Sequence, residues 1–155
     1  MNMKTVRIKA EPLTSKAYQP FGQVVGLDDV HLELRKREKF RMGIIHMKNR
    51  GYRISSLNRH ANSTQALIPL EGKACLVVVA PPETTFEHAA DLKKVKAFLC
   101  DGSIGINIGL GTWHQALLPI GADMKMVNVQ GVNSGKDTEV CHFDKTFDAV
   151  IEITL

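Results

Sequence analysis

Two short segments carry residue types that can do chemistry together. The first runs Asn58-Arg59-His60-Ala61-Asn62-Ser63-Thr64-Gln65, with Gly72 further on. The second runs Gly105-Ile106-Asn107-Ile108-Gly109-Leu110-Gly111-Thr112-Trp113-His114. Imidazoles change charge near neutral pH, so His60 and His114 suit either proton transfer or metal ligation. Side chains two apart on a strand share a face, which puts Asn58 beside His60 if the first segment is extended. A divalent metal asks for neutral imidazoles and an anionic carboxylate. The companions here are the amides of Asn58 and Gln65, which are neutral and weak as ligands. Arg59 points away from its strand neighbours, as a surface charge or as a bidentate clamp for a carboxylate. Trp113 is the only Trp in the chain and reads as core or pocket wall. The isolated His31, His46, His88 and His142 read as surface or hydrogen-bonded residues.

The elements that must position these residues are strands. Val6 to Leu13, Ala17 to Val25 around a break at Tyr18-Gln19-Pro20-Phe21-Gly22, Phe40 to Met47 and Ile54 to Leu57 all carry extended signals. Lys48-Asn49-Arg50-Gly51 reads as a hairpin turn. Gln65 to Leu70 and Ala74 to Ala80, joined by Glu71-Gly72-Lys73, read as a buried hairpin in which Pro69 marks an edge or bulge. Thr84 to Lys94 is the one short helical stretch. Val95 to Leu99, a turn at Asp101-Gly102, Ile104 to Ile108, Leu117-Leu118, Met126 to Gln130 and Ile151 to Leu155 continue the strands, and Asn133 to Asp137 reads as an exposed loop. Many short strands with Gly turns indicate a barrel or sandwich.

The spacing of Asn58, His60, Gln65 and Gly72, followed by Gly109-Leu110-Gly111 and His114, resembles the two signature motifs of cupins. Those motifs are a His-x-His pair with a later Glu and Gly, then Pro-x-Gly-x-x-His. The resemblance implies an all-β, cupin-type β-barrel (a double-stranded β-helix) with few short helices, as a single domain over residues 1–155. A narrower set of matches resembles the ureidoglycolate lyase family. It comprises Glu11 to Val25, Arg59-His60, Ser63-Thr64-Gln65-Ala66-Leu67-Ile68-Pro69-Leu70, Leu76-Val77-Val78-Val79-Ala80-Pro81, Val95-Lys96-Ala97-Phe98, Gly105-Ile106-Asn107 and Gly111-Thr112-Trp113-His114.

That resemblance implies a dimeric C–N lyase of purine-derived allantoin breakdown, which splits ureidoglycolate into glyoxylate and urea. The implied catalytic residues are His60, His114 and Arg59, and the implied substrate-binding residues are Asn58, Gln65, Asn107, Trp113 and Gln115. No cofactor is certain. A weakly held divalent metal (nickel, zinc or manganese) on His60 and His114 is the open alternative. The chain departs from the family at Asn58, where Glu is usual, at Ile108-Gly109-Leu110 in place of Tyr-His-Arg, and at Gln115-Ala116 in place of His-Pro. The expected pocket is therefore more neutral and apolar than the family's. A non-catalytic or divergent cupin binding a small carboxylate metabolite is the second reading.

Composition removes other classes. At 155 residues, with 44% hydrophobic and 23% charged residues, the chain has material for one core. The net charge of +4 gathers in Leu34-Arg35-Lys36-Arg37-Glu38-Lys39-Phe40-Arg41, but aromatics are only 6% of the chain. A solvated loop or edge explains that run better than a nucleic-acid surface. The longest apolar run, Ala74 to Pro82, is far too short for a membrane span, and the N-terminus has no signal-peptide pattern. Cys75, Cys100 and Cys141 form neither an even framework nor a CxxC pair, which fits a reducing cytoplasm. The expected partners are thus a small-molecule carboxylate and a second copy of the chain, with no nucleic acid and no membrane.

Overall fold

The computed structural model describes residues 2–155. Its strands are β1 (Lys4–Lys9), β2 (Glu11–Pro12), β3 (Gly22–Val25), β4 (Phe40–Met47), β5 (Arg53–Ile54), β6 (Ser56–His60), β7 (Gln65–Pro69) and β8 (Cys75–Ala80). They continue with β9 (Lys96–Cys100), β10 (Gly105–Ile108), β11 (Trp113–His114), β12 (Leu118–Pro119), β13 (Met124–Gly131), β14 (Thr138–His142) and β15 (Ala149–Thr154). Short helices α1 (Ser15–Tyr18) and α2 (Phe143–Phe147) and two 3-10 turns, Ala89–Lys94 and Ser134–Asp137, fill the connections.

The strands make three sheets. The smaller inner sheet is ordered β3-β10-β7-β13-β4, and the larger is ordered β14-β6-β11-β8-β9-β2 with β12 also on β8. A third sheet, β1-β15-β5, covers the outside. The architecture is all-β with few short helices, and the two larger sheets face each other. Between them lie Leu67, Ile106, Ile108, Met124 and Met126 from one side and Cys75, Val77, Val79 and Phe98 from the other. The opposite face of the larger sheet packs Leu57, Leu76, Val78, Ala80, Ala97 and Trp113 against Ile151, Ile153, Phe86 and Phe143.

This layering explains the unbroken apolar run of β8, whose six residues are all buried. A strand covered on both faces loses the apolar-polar alternation of a half-exposed one. Where only one face meets a core, alternation returns: in β13, Met124, Met126 and Asn128 are buried while Lys125 is exposed.

Three connections expected as turns, two of them hairpins, are passages between sheets. β7 pairs with β10 and β13, whereas β8 pairs with β9, β11 and β12, so Glu71-Gly72-Lys73 is a corner. Asp101-Gly102 is a second corner, from β9 to β10, and Lys48 to Gly51 joins strands that do not pair. The two Gly corners nest. At Gly102 (φ +92) an added Cβ would overlap the Gly72 carbonyl, so only glycine allows the approach. Pro69 ends an internal strand, and the next residue resumes the ladder through Leu70 N to Lys125 O. Ser15–Tyr18, which overlaps the start of the Ala17 to Val25 segment expected as extended around a break, forms a helical turn capped by the Thr14 side chain. The Asn133 to Asp137 segment is partly a 3-10 turn with Ser134 buried. Among the described residues, no helix is long and apolar enough to cross a membrane.

Within the core between the two larger sheets, Tyr18, Phe21 and Phe98 meet with ring centroids 5.7–5.9 Å apart. The Tyr18 hydroxyl is buried without a partner there, and burial pushes its pKa upward. An unpaired buried hydroxyl costs about 1–3 kcal/mol. Tyr18→Phe is therefore expected to be neutral or stabilising in urea denaturation, while Phe98→Ala costs about 3–5 kcal/mol. A large loss in Tyr18→Phe would mean that the hydroxyl has an undetected partner.

Candidate active site

The site forms where the larger sheet turns its inner face to the smaller one. β6 alternates: Leu57 belongs to the outer core and Arg59 points the same way, while Asn58 and His60 face inward. β11 alternates in the same sense, with Trp113 in the outer core and His114 inward. Asn58 and His114 are direct partners across these strands. From the smaller sheet, Gln65 of β7 pairs with Gln130 of β13, which pairs with Arg41 of β4. The resulting cavity of about 170 Å³ is lined by Arg41, Asn58, His60, Gln65, His114, Ala116, Gln130 and Gly135. That volume is well below the range of drug-sized pockets and suits a small metabolite.

The imidazole rings of His60 and His114 stand 5.2 Å apart, centroid to centroid. His114 is buried, with Nδ1 2.9 Å from the Thr112 carbonyl and Nε2 3.1 Å from Gln65 Oε1. Burial pushes its pKa down to about 4, against a rise from the Thr112 contact, and nearby His60 lowers it further. The ring is therefore neutral near pH 7 and supplies one N–H. A backbone carbonyl cannot turn, so that proton sits on Nδ1. Nε2 then carries the lone pair and meets the side-chain amide of Gln65, whose two ends are interchangeable by rotation. Gln65 in turn is 2.9 Å from the buried Asn128 amide.

His60 is arranged in a similar way. Thr138 Oγ1 donates to the Ser134 carbonyl at 2.9 Å and lies 3.2 Å from His60 Nδ1. Having given away its proton, that hydroxyl can only accept, so His60 holds its hydrogen on Nδ1 and a lone pair on Nε2. Burial lowers the His60 pKa, while Asp137 and the Ser134 carbonyl act to raise it.

The expected site residues divide. Asn58, His60, Gln65 and His114 come together. Arg59 does not join them: its Nε donates to Glu139 at 2.8 Å, a terminal nitrogen donates to the Pro82 carbonyl at 3.0 Å, and the guanidinium stacks 4.3 Å over Trp113. The pleat of β6 sends it to the other face. Trp113 is likewise in the outer core, donating to the Thr84 carbonyl. Asn107 faces out from the smaller sheet and binds Gln23 and the His31 carbonyl, which ties down the 26–39 segment. Gln115 is held by Ser56. Arg41 and Gln130 were not anticipated. The parity that sends Ile45 inward to the core also sends Arg41 toward the cavity. Its place at the end of a basic run hid it.

A tightly held divalent metal does not fit this donor set. Two imidazoles and amide oxygens provide no carboxylate or thiolate, and among the described residues no three His, Cys, Asp or Glu side chains cluster as ligands.

A family model described as ureidoglycolate lyase matches residues 32–150. The chain belongs to the ureidoglycolate lyase family. Ureidoglycolate lyase 1 of Rhizobium meliloti (strain 1021) is 29% identical over 161 residues, covering 90% of this chain and 91% of that one. The ureidoglycolate lyase of Burkholderia mallei (strain NCTC 10229) is 28% identical over 87% of each chain. That of Pseudomonas aeruginosa (strain UCBPP-PA14) is 31% identical, over 76% of this chain and 78% of its own. The family match spans every cavity residue named above.

Because both imidazoles are kept neutral in the folded chain, unfolding lets them take up protons more readily. Their contribution to stability is complete above about pH 6.5 and is lost as pH falls toward the folded value of about 4 for His114. Stability is expected to drop over that window, and His114→Gln to flatten the drop when melting is followed against pH. A wild-type slope unchanged in His114→Gln would rule out this buried neutral imidazole as its source.

Proposed function

We propose that this chain is a ureidoglycolate lyase acting at the His60–His114 cavity, where it eliminates urea from ureidoglycolate and leaves glyoxylate. The observation that carries the reading is the pair of imidazoles 5.2 Å apart, each with its Nδ1 proton engaged, with the His60 Nε2 lone pair free for chemistry and that of His114 held by Gln65, in a cavity of metabolite size. Family membership supplies the substrate. Ureidoglycolate carries a hydroxyl, a carboxylate and a urea nitrogen on one carbon, so elimination needs a base for the hydroxyl and a proton for the departing nitrogen.

His60 is the better base of the pair. It is only half buried, and Asp137 and the Ser134 carbonyl favour its protonated form, whereas His114 is held much lower. His60 takes the hydroxyl proton as the aldehyde C=O forms. The C–N bond breaks with its electron pair on nitrogen, and the same proton passes to that nitrogen. His60 starts and ends neutral, and neither water nor an oxidant is consumed. The unpartnered Asn58 Oδ1 acts as an acceptor that orients the urea end, and His114 positions Gln65 beside it.

The test is a coupled assay on ureidoglycolate. Equal amounts of glyoxylate and urea are expected, with His60→Gln lowering kcat by about 10²–10⁴. Chelation with EDTA is expected to leave the rate unchanged. A rate lost on chelation and restored by nickel, zinc or manganese would assign the chemistry to a bound ion.

The same reading places the chain in allantoin breakdown in the cytoplasm, as a homodimer. Three unpaired thiols, Cys75, Cys100 and Cys141, support a reducing compartment. Met42 (77% exposed) and Ile44 (65% exposed) on the outward face of edge strand β4 support self-association. Replacing both with Lys is expected to shift the mass in solution from dimer to monomer, measured by light scattering.

A further inference from the structure

The cavity contains one formal charge. Of its lining residues only Arg41 is charged at neutral pH, since His60 and His114 are held neutral and the rest are amides, Ala and Gly. Arg41 forms no ion pair among the described residues, unlike Arg59, which Glu139, Pro82 and Trp113 hold in place. The neighbouring depression, lined by Lys36, Arg37 and Lys136, also contains Glu38 and Asp137, so its cations face local acids. Arg41 is thus the unspent guanidinium beside the imidazoles.

Its position is set by the sheet. The register Arg41–Gln130–Gln65 runs across three adjacent strands on the face that meets His114. Deeper in, two acceptors are left without a partner: His60 Nε2, and Asn58 Oδ1, a buried oxygen with no hydrogen-bond partner, while His114 Nε2 is taken by Gln65. A carboxylate placed at that end would face lone pairs, which is unfavourable in a buried site. A group rich in N–H or O–H satisfies them.

We infer that Arg41 binds the substrate's carboxylate, and that the site selects an acid of single negative charge whose other end donates hydrogen bonds. The planar guanidinium suits bidentate recognition of a carboxylate. The inference rests on the lyase reading only in naming the ureido acid; the polarity of the cavity stands apart from turnover. It makes Arg41, rather than Arg59, the specificity-determining cation.

The experiment uses the intact chain and calorimetric binding of N-carbamoylglycine, which lacks the hydroxyl and cannot eliminate urea, beside its neutral amide. Wild-type protein is expected to bind the acid about tenfold or more tightly than the amide. Arg41→Gln is expected to abolish that preference and Arg41→Lys to keep part of it. In the glyoxylate assay, Arg41→Gln is expected to raise KM about tenfold or more with kcat little changed, the reverse of the pattern for His60→Gln. Wild-type protein that binds acid and amide alike, or neither, overturns the inference, as does an Arg41→Gln variant that keeps the preference. Preference for the acid without glyoxylate release from ureidoglycolate would sink the lyase reading and leave the role of Arg41 standing.

Discussion

The pairing of Asn58 with His114 across β6 and β11 is the constraint on which the site depends. Each strand divides its side chains between two environments, because the larger sheet is covered on both faces. Leu57 and Trp113 fill the outer core. The same pleat then sends Asn58, His60 and His114 to the inner face, opposite Gln65 and Arg41 of the smaller sheet. A one-residue slip of either strand would exchange imidazoles for outer-core residues, so packing and chemistry protect the same register.

Burial then sets the character of the site. His114 is too buried to hold a proton near neutral pH, and the Thr112 carbonyl takes its Nδ1 hydrogen. His60 is less buried and is supported by Thr138, Ser134 and Asp137. Two residues of one type acquire different strengths as bases from depth and neighbours alone. Amides stand where carboxylates would strengthen a metal cage, so Arg41 is the one formal charge on the cavity's lining. This differs from the neutral, apolar pocket that the motif departures imply. The departures at Asn58, Gly109 and Gln115 are real, but the cation enters from a strand outside both motifs.

Much of the fold was legible because it rests on local signals. Many strand segments, a short helical stretch within Thr84 to Lys94 (a 3-10 turn at Ala89–Lys94) and the buried character of Cys75–Ala80 follow from periodicity and from Gly and Pro punctuation. Pairing was less legible. Glu71-Gly72-Lys73 reads as a hairpin turn and Asp101-Gly102 as a turn, since a tight Gly turn between apolar runs looks the same whether the chain folds back or crosses to another sheet. The nesting of Gly72 and Gly102 is a contact between segments about thirty residues apart, which neither segment signals alone.

The sequence by itself determined which residues could do chemistry and to which family the chain is related: the Asn58, His60, Gln65 and His114 spacing is local and survives as one cavity. Only the tertiary structure decided which neighbours share it. Arg59 sits beside His60 in the chain yet lies across the sheet from it, stacked on Trp113, because adjacent strand residues point to opposite faces. Arg41, seventeen or more residues from either motif, reaches the cavity through cross-strand pairing with Gln130 and then Gln65. Strand register converts distance along the chain into adjacency, and it depends on both partners of every pair.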